Sequence, residues 1–78
     1  VSDDEIAAAA SILFDHMKLA VEPAGAVSTA AAFGPLREKL RGKRVALIVC
    51  GANIDADGFH QLILRGQNAL QNNVLSIN

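Results

Sequence analysis

The 78-residue sequence has few of the residues that stabilise very small proteins through covalent or metal cross-links. Cys50 is its single cysteine, which excludes an internal disulfide. The two histidines, His16 and His60, lie far apart with no cysteine motif beside them, so we expect no metal site. A domain of this size buries only roughly 60–65% of the surface of its unfolded chain. We therefore expect a partner, either another copy of the chain or the rest of a larger protein.

Long apolar runs are also missing, since no run approaches the roughly 18 residues of a membrane helix. The N-terminus, Val1–Glu5, is acidic and does not have the pattern of a signal peptide. With 51% hydrophobic residues and a net charge of −1, the composition is that of a globular protein, and it favours neither nucleic acid nor a membrane as a partner. The lone cysteine is typical of a reducing compartment, which predicts a cytoplasmic location.

A cluster of basic residues also lacks the aromatic side chains that accompany nucleic-acid binding. We interpret this cluster as a solvated face that precedes a buried strand. Its members are Arg37, Lys39, Arg41, Lys43 and Arg44.

Apolar periodicity predicts a first helix from about Asp3 to Lys18. Ser2 and Glu5 have the spacing of a capping box, in which each side chain bonds to the backbone amide of the other residue. The many alanines in this helix indicate close packing against another element.

A second helix is predicted to begin at Glu22-Pro23, because proline suits the first turn of a helix. Gly34-Pro35 interrupts this helix. We expect a further short helical stretch from Leu36 to Leu40, ended by Gly42.

The run Val45 to Cys50 is continuously apolar and rich in β-branched residues, which predicts a fully buried strand of a parallel sheet. A turn, Gly51–Ile54, follows it. Asp55 is placed to cap a last helix from about Ala56 to Ala69, and Val74–Ile77 forms either a short strand or a tail. The expected fold class is therefore α/β, with the order helix, helix, strand, helix. Because one strand cannot form a sheet, its backbone groups need partners from outside the chain.

The turn after this strand is where chemistry is most expected, because ligands of open α/β sheets bind beyond the carboxyl ends of the strands. The amides at the start of the following helix would attract an anion there. Taken alone, a turn of small residues after a strand is more often structural than functional.

Three segments, taken together and in order, resemble the fold-type II pyridoxal-phosphate enzymes of the threonine dehydratase, serine dehydratase and serine racemase group. Val21–Ala26 matches the family's E-P-A-G-A motif. Gly42–Asp55 matches its G-K-x-V and hydrophobic run followed by S/C-G-G/A-N-h-D. Val1–Ile6 resembles the family's V-S-D-E-E-I helix start. The resemblance implies that residues 1–78 are a single partial domain, a C-terminal part of a three-layer catalytic domain.

The resemblance also implies a set of cofactor-binding residues. Cys50 would face the pyridine nitrogen of pyridoxal phosphate, where a neutral thiol does not hold that nitrogen protonated as a carboxylate would. Glu22 would lie near the cofactor ring and its 3-hydroxyl; an ordinary carboxylate at a helix start is the alternative reading. Gly51 and Ala52 would let the backbone pass close to the ring, and Asn53 would fix the turn or, less directly, contact the cofactor. A small buried hydrophobe is the alternative reading for Cys50.

The chain lacks the S-x-K-x-R-G-type motif that carries the Schiff-base lysine of this family and the glycine-rich loop that holds the cofactor phosphate. We therefore predict a piece of a threonine or serine ammonia-lyase, which converts a hydroxy amino acid to a 2-oxo acid and ammonia, inactive as an isolated chain. The alternative is a non-catalytic, oligomeric interaction module or relic that pairs through its exposed strand. A module that binds small anions at the turn is a third hypothesis.

Overall fold

The computed structural model describes residues 1–75, and its regular elements there are helical. The three α-helices are α1 (Asp3–Met17), α2 (Val27–Phe33) and α3 (Ala56–Gln71). A short 3₁₀ helix, Pro23–Ala26, leads directly into α2. Within this part of the chain, no helix is long and apolar enough to cross a membrane.

Helix α1 begins where the capping box predicts. The Glu5 amide donates to Ser2 Oγ over 3.1 Å, and the Ser2 amide donates to Glu5 Oε1 over 2.8 Å. The helix ends one residue before the predicted end, because Lys18 adopts a left-handed conformation with φ of 58°. The sequence prediction of this helix is confirmed.

Helices α1 and α3 pack against each other in antiparallel directions. Gly66 of α3 lies so close to α1 that a β-carbon on it would collide with the Ala7 carbonyl group. At one end of the pair, Arg65 donates to Asp4 over 2.6 Å. At the other, the rings of Phe14 and Phe59 meet edge to face, with centroids 5.3 Å apart. The alanines of α1 make this close approach possible, and Ala7–Ala10 are completely buried.

The region from Pro23 to Gly42 is only partly as predicted. The second helix is present, as a 3₁₀ turn followed by α2 that ends before Gly34. The predicted helical stretch from Leu36 to Leu40 is wrong, because these residues form a succession of turns. Both three-residue and four-residue backbone hydrogen bonds occur in these turns, so no regular helix is propagated.

The segment Val45–Cys50 is not a strand in this structure, and residues 1–75 contain no strand at all. The predicted α/β class with a three-layer arrangement is therefore not confirmed for the chain by itself. The physical reason is that a strand is defined by pairing, and the described chain offers no second extended segment to pair with. Within the described residues, one side-chain hydrogen bond reaches the segment, from Ser28 Oγ to the Ile48 carbonyl over 2.9 Å, and Val49 packs against the core.

Helix α3 begins as predicted, because Asp55 Oδ1 accepts from the Gly58 amide over 2.7 Å. It runs two residues beyond the predicted end. After it the chain turns back, with the Val74 amide donating to the Ala69 carbonyl and Leu75 buried. The predicted strand or tail Val74–Ile77 lies partly outside the described residues, so Ser76 and Ile77 carry no description.

Candidate functional site

Two sequence segments that lie far apart along the chain meet at one junction. The Glu22 amide donates to the Gly51 carbonyl over 2.9 Å. The turn that follows is tight, since the Gly25 amide donates back to the Glu22 carbonyl over 2.9 Å. A β-carbon at Gly25 would collide with the Cys50 carbonyl oxygen, so only glycine allows this approach. We call this contact between Glu22–Ala26 and Cys50–Gly51 the junction.

The carboxylate of Glu22 lies over the backbone of Gly51. Gly51 has a left-handed conformation with φ of 84°, and a β-carbon on it would run into Glu22 Oε1. Glycine is therefore required here both by the backbone conformation and by the neighbouring carboxylate. Glu22 itself is only half-buried.

The remaining predicted site residues lie next to the junction on an open surface. Cys50 is an exposed free thiol. Ala52 and Asn53 are also exposed, and the turn they form is closed by a backbone hydrogen bond of 2.9 Å from the Ile54 amide to the Ala52 carbonyl. The structure thus brings Glu22, Cys50 and Gly51 together, whereas Ala52 and Asn53 follow in the same turn.

An apolar groove of about 550 Å³ lies between the end of α1, helix α2 and the segment Val45–Cys50. Thr29 is 2% exposed, and its hydroxyl group has no hydrogen-bond partner within residues 1–75. Sequence reasoning missed this groove, because the continuously apolar run Val45–Cys50 does not show which of its side chains face α1 and α2. The groove is lined by Ile12, Leu13, His16, Met17, Thr29, Phe33, Leu47 and Val49.

The ionisable groups whose pKa is shifted lie on the surface, away from the junction. A hydrogen bond from Arg41 lowers the pKa of Glu38, and Glu38 in turn raises the pKa of Arg41. The hydrogen bond to Asp4 raises the pKa of Arg65. The pair of Glu38 and Arg41 lies within a turn, and the pair of Asp4 and Arg65 joins α1 to α3.

The junction thus holds the half-buried Glu22 beside a thiol-bearing turn that precedes the capped helix α3. Comparison with known proteins identifies the family to which these segments belong. The chain is 56% identical to phenylserine dehydratase from Ralstonia pickettii over 59 residues, which are 76% of this chain and 18% of that protein. It is 39% identical to serine racemase from Schizosaccharomyces pombe over 59 residues, again 76% of this chain and 18% of the relative.

A third relative is L-threonine ammonia-lyase from Thermotoga maritima, 38% identical over 66 residues, which are 85% of this chain and 16% of that protein. No protein-family model and no solved structure matches the chain. The chain belongs to the pyridoxal-phosphate-dependent family of hydroxy-amino-acid dehydratases and serine racemase. It spans less than a fifth of the length of these relatives. The resemblance in the sequence is thereby confirmed.

Proposed function

We propose that this chain supplies one wall of the cofactor site of a hydroxy-amino-acid ammonia-lyase, which removes water and then ammonia to leave a 2-oxo acid. The observation that carries the proposal is the junction. The hydrogen bond from the Glu22 amide to the Gly51 carbonyl joins the two segments that carry the family motifs. Relatives named as dehydratases and ammonia-lyases support the reaction class.

Glycines stand at both close approaches of the junction, where the chain itself fills the space that a β-carbon would take, and they hold Glu22 beside Cys50–Gly51. Bound pyridoxal phosphate would withdraw electrons from the α-carbon of the amino acid. Cys50 would offer the pyridine nitrogen a thiol, which is both a weak donor and a weak acceptor and leaves that nitrogen unprotonated. Glu22 would lie beside the ring and its 3-hydroxyl. Gly51 and Ala52 would let the backbone approach, and Asn53 would support the turn.

In a protein of the relatives' length, further strands would pair with the backbone groups that Val45–Cys50 leaves unpaired. In that setting we propose that Val45–Cys50 is a strand of a central sheet, in a three-layer domain of which residues 1–78 form one part. The continuous apolar run of this segment supports this role, because such runs are typical of strands covered on both faces. Cys50, an exposed free thiol, supports a reducing cytoplasmic setting. On this proposal the isolated chain with pyridoxal phosphate and threonine shows no turnover.

The test is a transplant into a relative. The matched section of phenylserine dehydratase is replaced by the matching section of this chain, and the chimera is assayed for cofactor absorbance and for dehydration of phenylserine. We expect both to be retained, because the section carries its own junction. A Gly25→Ala chimera should lose cofactor binding, since the added methyl group pushes Glu22–Ala26 away from the Cys50 carbonyl.

Gly42→Ala in the same chimera is the control. Gly42 has a left-handed conformation, with φ of 74°, which Gly25 does not have, and a β-carbon there has nothing within 4 Å. The control therefore adds backbone strain without a collision, and it should leave the cofactor bound. A chimera that folds with unchanged helix content but binds no pyridoxal phosphate contradicts the proposal. Robust turnover by the isolated chain contradicts its incompleteness.

A further inference from the structure

The segment Val45–Cys50 has a backbone that the described chain does not use. None of its amides donates to another backbone group within residues 1–75. Among the same described residues, the one hydrogen bond to its carbonyls is the bond that Ser28 Oγ donates to Ile48. Six successive residues without charge, proline or glycine therefore present a free edge, and such an edge is a ready template for pairing with another chain.

One face of the segment is also uncovered. Leu47 and Val49 point into the apolar groove, whereas Ile48, between them, is 79% exposed. Val45 is 48% exposed. An apolar segment with this much open surface is unfavourable in water, and pairing would cover part of it.

We infer that in the isolated chain this edge binds a second copy of itself, as an antiparallel pair of Val45–Cys50 segments related by a twofold axis. The charged residues on either side of the segment favour a second copy as the partner and favour the antiparallel direction. Lys43 and Arg44 precede the segment, whereas Asp55 and Asp57 follow it, and all four are exposed. In an antiparallel pair, Lys43 and Arg44 of one copy lie at the same end of the ribbon as the turn that leads to Asp55 and Asp57 of the other. In a parallel pair, like charges would lie side by side, which is unfavourable.

This inference rests on the geometry of the segment and not on the proposed cofactor site, so the two can fail separately. The first measurement is sedimentation equilibrium of the 78-residue chain over a range of concentrations, which we expect to show a reversible dimer. Ile48→Lys should weaken the dimer at least tenfold, because an added lysine charge blocks an edge. Leu64→Lys is the matched control, since Leu64 is also an exposed apolar residue, at 47%, but lies on α3. It should leave the dimer unchanged.

Charge reversal tests the direction. Lys43→Glu should weaken the dimer several-fold at low salt, while Lys39→Glu, the same change of charge outside the segment's end, should not. A nitroxide label on Cys50 adds a geometric test. The two labels lie at opposite ends of an antiparallel pair, about 17 Å apart along the strands, whereas a parallel pair brings them to about 5 Å.

Three outcomes would overturn the inference. The first is a monomer at every concentration, with the helix content of the folded chain. The second is an equal loss of dimer in Ile48→Lys and Leu64→Lys, which would place the contact on another surface. The third is adjacent Cys50 labels, which would show parallel pairing.

Discussion

At the scale of single residues, glycine decides how closely the parts of this chain approach one another. Gly66 sets the distance between α1 and α3, and Gly25 sets the distance across the junction. By propensity alone Gly66 would only weaken its helix, because glycine has a low helix propensity. The structure assigns it a packing role that propensity does not reveal. The signal that could have revealed it is the row of alanines in the facing helix.

We predict that Gly66→Ala destabilises the chain although alanine is the better helix former. The gain in propensity is about 1 kcal/mol. The new methyl group meets the Ala7 carbonyl, and overpacking of this kind typically costs about 1–3 kcal/mol. Urea unfolding followed by circular dichroism should therefore give a lower free energy of unfolding than that of the wild type.

Asn68→Ala, on the exposed face of the same helix, is the control for propensity alone. It should leave stability unchanged or raise it by up to about 0.7 kcal/mol. If both substitutions stabilise the chain, Gly66 is not a close-packing residue.

At the scale of elements, the local signals were sufficient for the helices and insufficient for everything that depends on tertiary pairing. The capping box at Ser2 and the cap at Asp55 placed the starts of α1 and α3 correctly, because a cap acts within one turn. The predicted helix from Leu36 to Leu40 failed because only six residues separate Pro35 from Gly42, too few to propagate a helix. The predicted strand Val45–Cys50 needs a second strand, which no local pattern can supply.

The turns that replace this short helix contain an ion pair, which gives a pH prediction. Arg41 donates two hydrogen bonds to the Glu38 carboxylate, of 3.1 and 2.8 Å, and these lower the pKa of Glu38. The pKa of Glu38 is lower in the folded chain than in the unfolded one. The pair therefore stabilises the turn fully at pH values above the ordinary pKa of a glutamate. This contribution disappears as the pH falls through the lowered pKa. Nuclear magnetic resonance titration of the Glu38 carboxyl carbon measures the shift.

Two arginine variants separate the causes of this shift. Arg41→Gln should return the pKa of Glu38 toward the ordinary 4.5 of a glutamate, because the hydrogen bonds of Arg41 are the largest cause of its lowering. Arg37→Gln should change it little, since Arg37 lies 3.7 Å from the same carboxylate and is the smallest cause. Equal effects of the two variants would show that general charge, not the hydrogen bond, lowers the pKa.

At the scale of the whole molecule, the candidate site was more predictable than the fold around it. The motif residues Glu22, Cys50 and Gly51 were identified from sequence, and the structure places them in one junction; their roles toward a cofactor stay a prediction. The apolar groove was not predicted, because a groove is formed by side chains of three elements whose relative placement is not local. The buried, unpartnered hydroxyl of Thr29 on its floor belongs to the same surface.

The described chain therefore contains a helix pair with its own core and a segment, Val45–Cys50, whose amides have no backbone partner. Amide hydrogen exchange should distinguish these two parts. In dilute solution we expect protected amides in α1, whose Ala7–Ala10 are completely buried, and unprotected amides over Val45–Cys50. At higher concentration, pairing should protect only alternate amides of the segment, because each strand of a two-stranded ribbon bonds its neighbour at every other residue. Ile48→Lys should abolish that protection and leave α1 unchanged. Protection of the segment already at high dilution would mean that a partner within the same chain pairs with it, which would contradict the free edge.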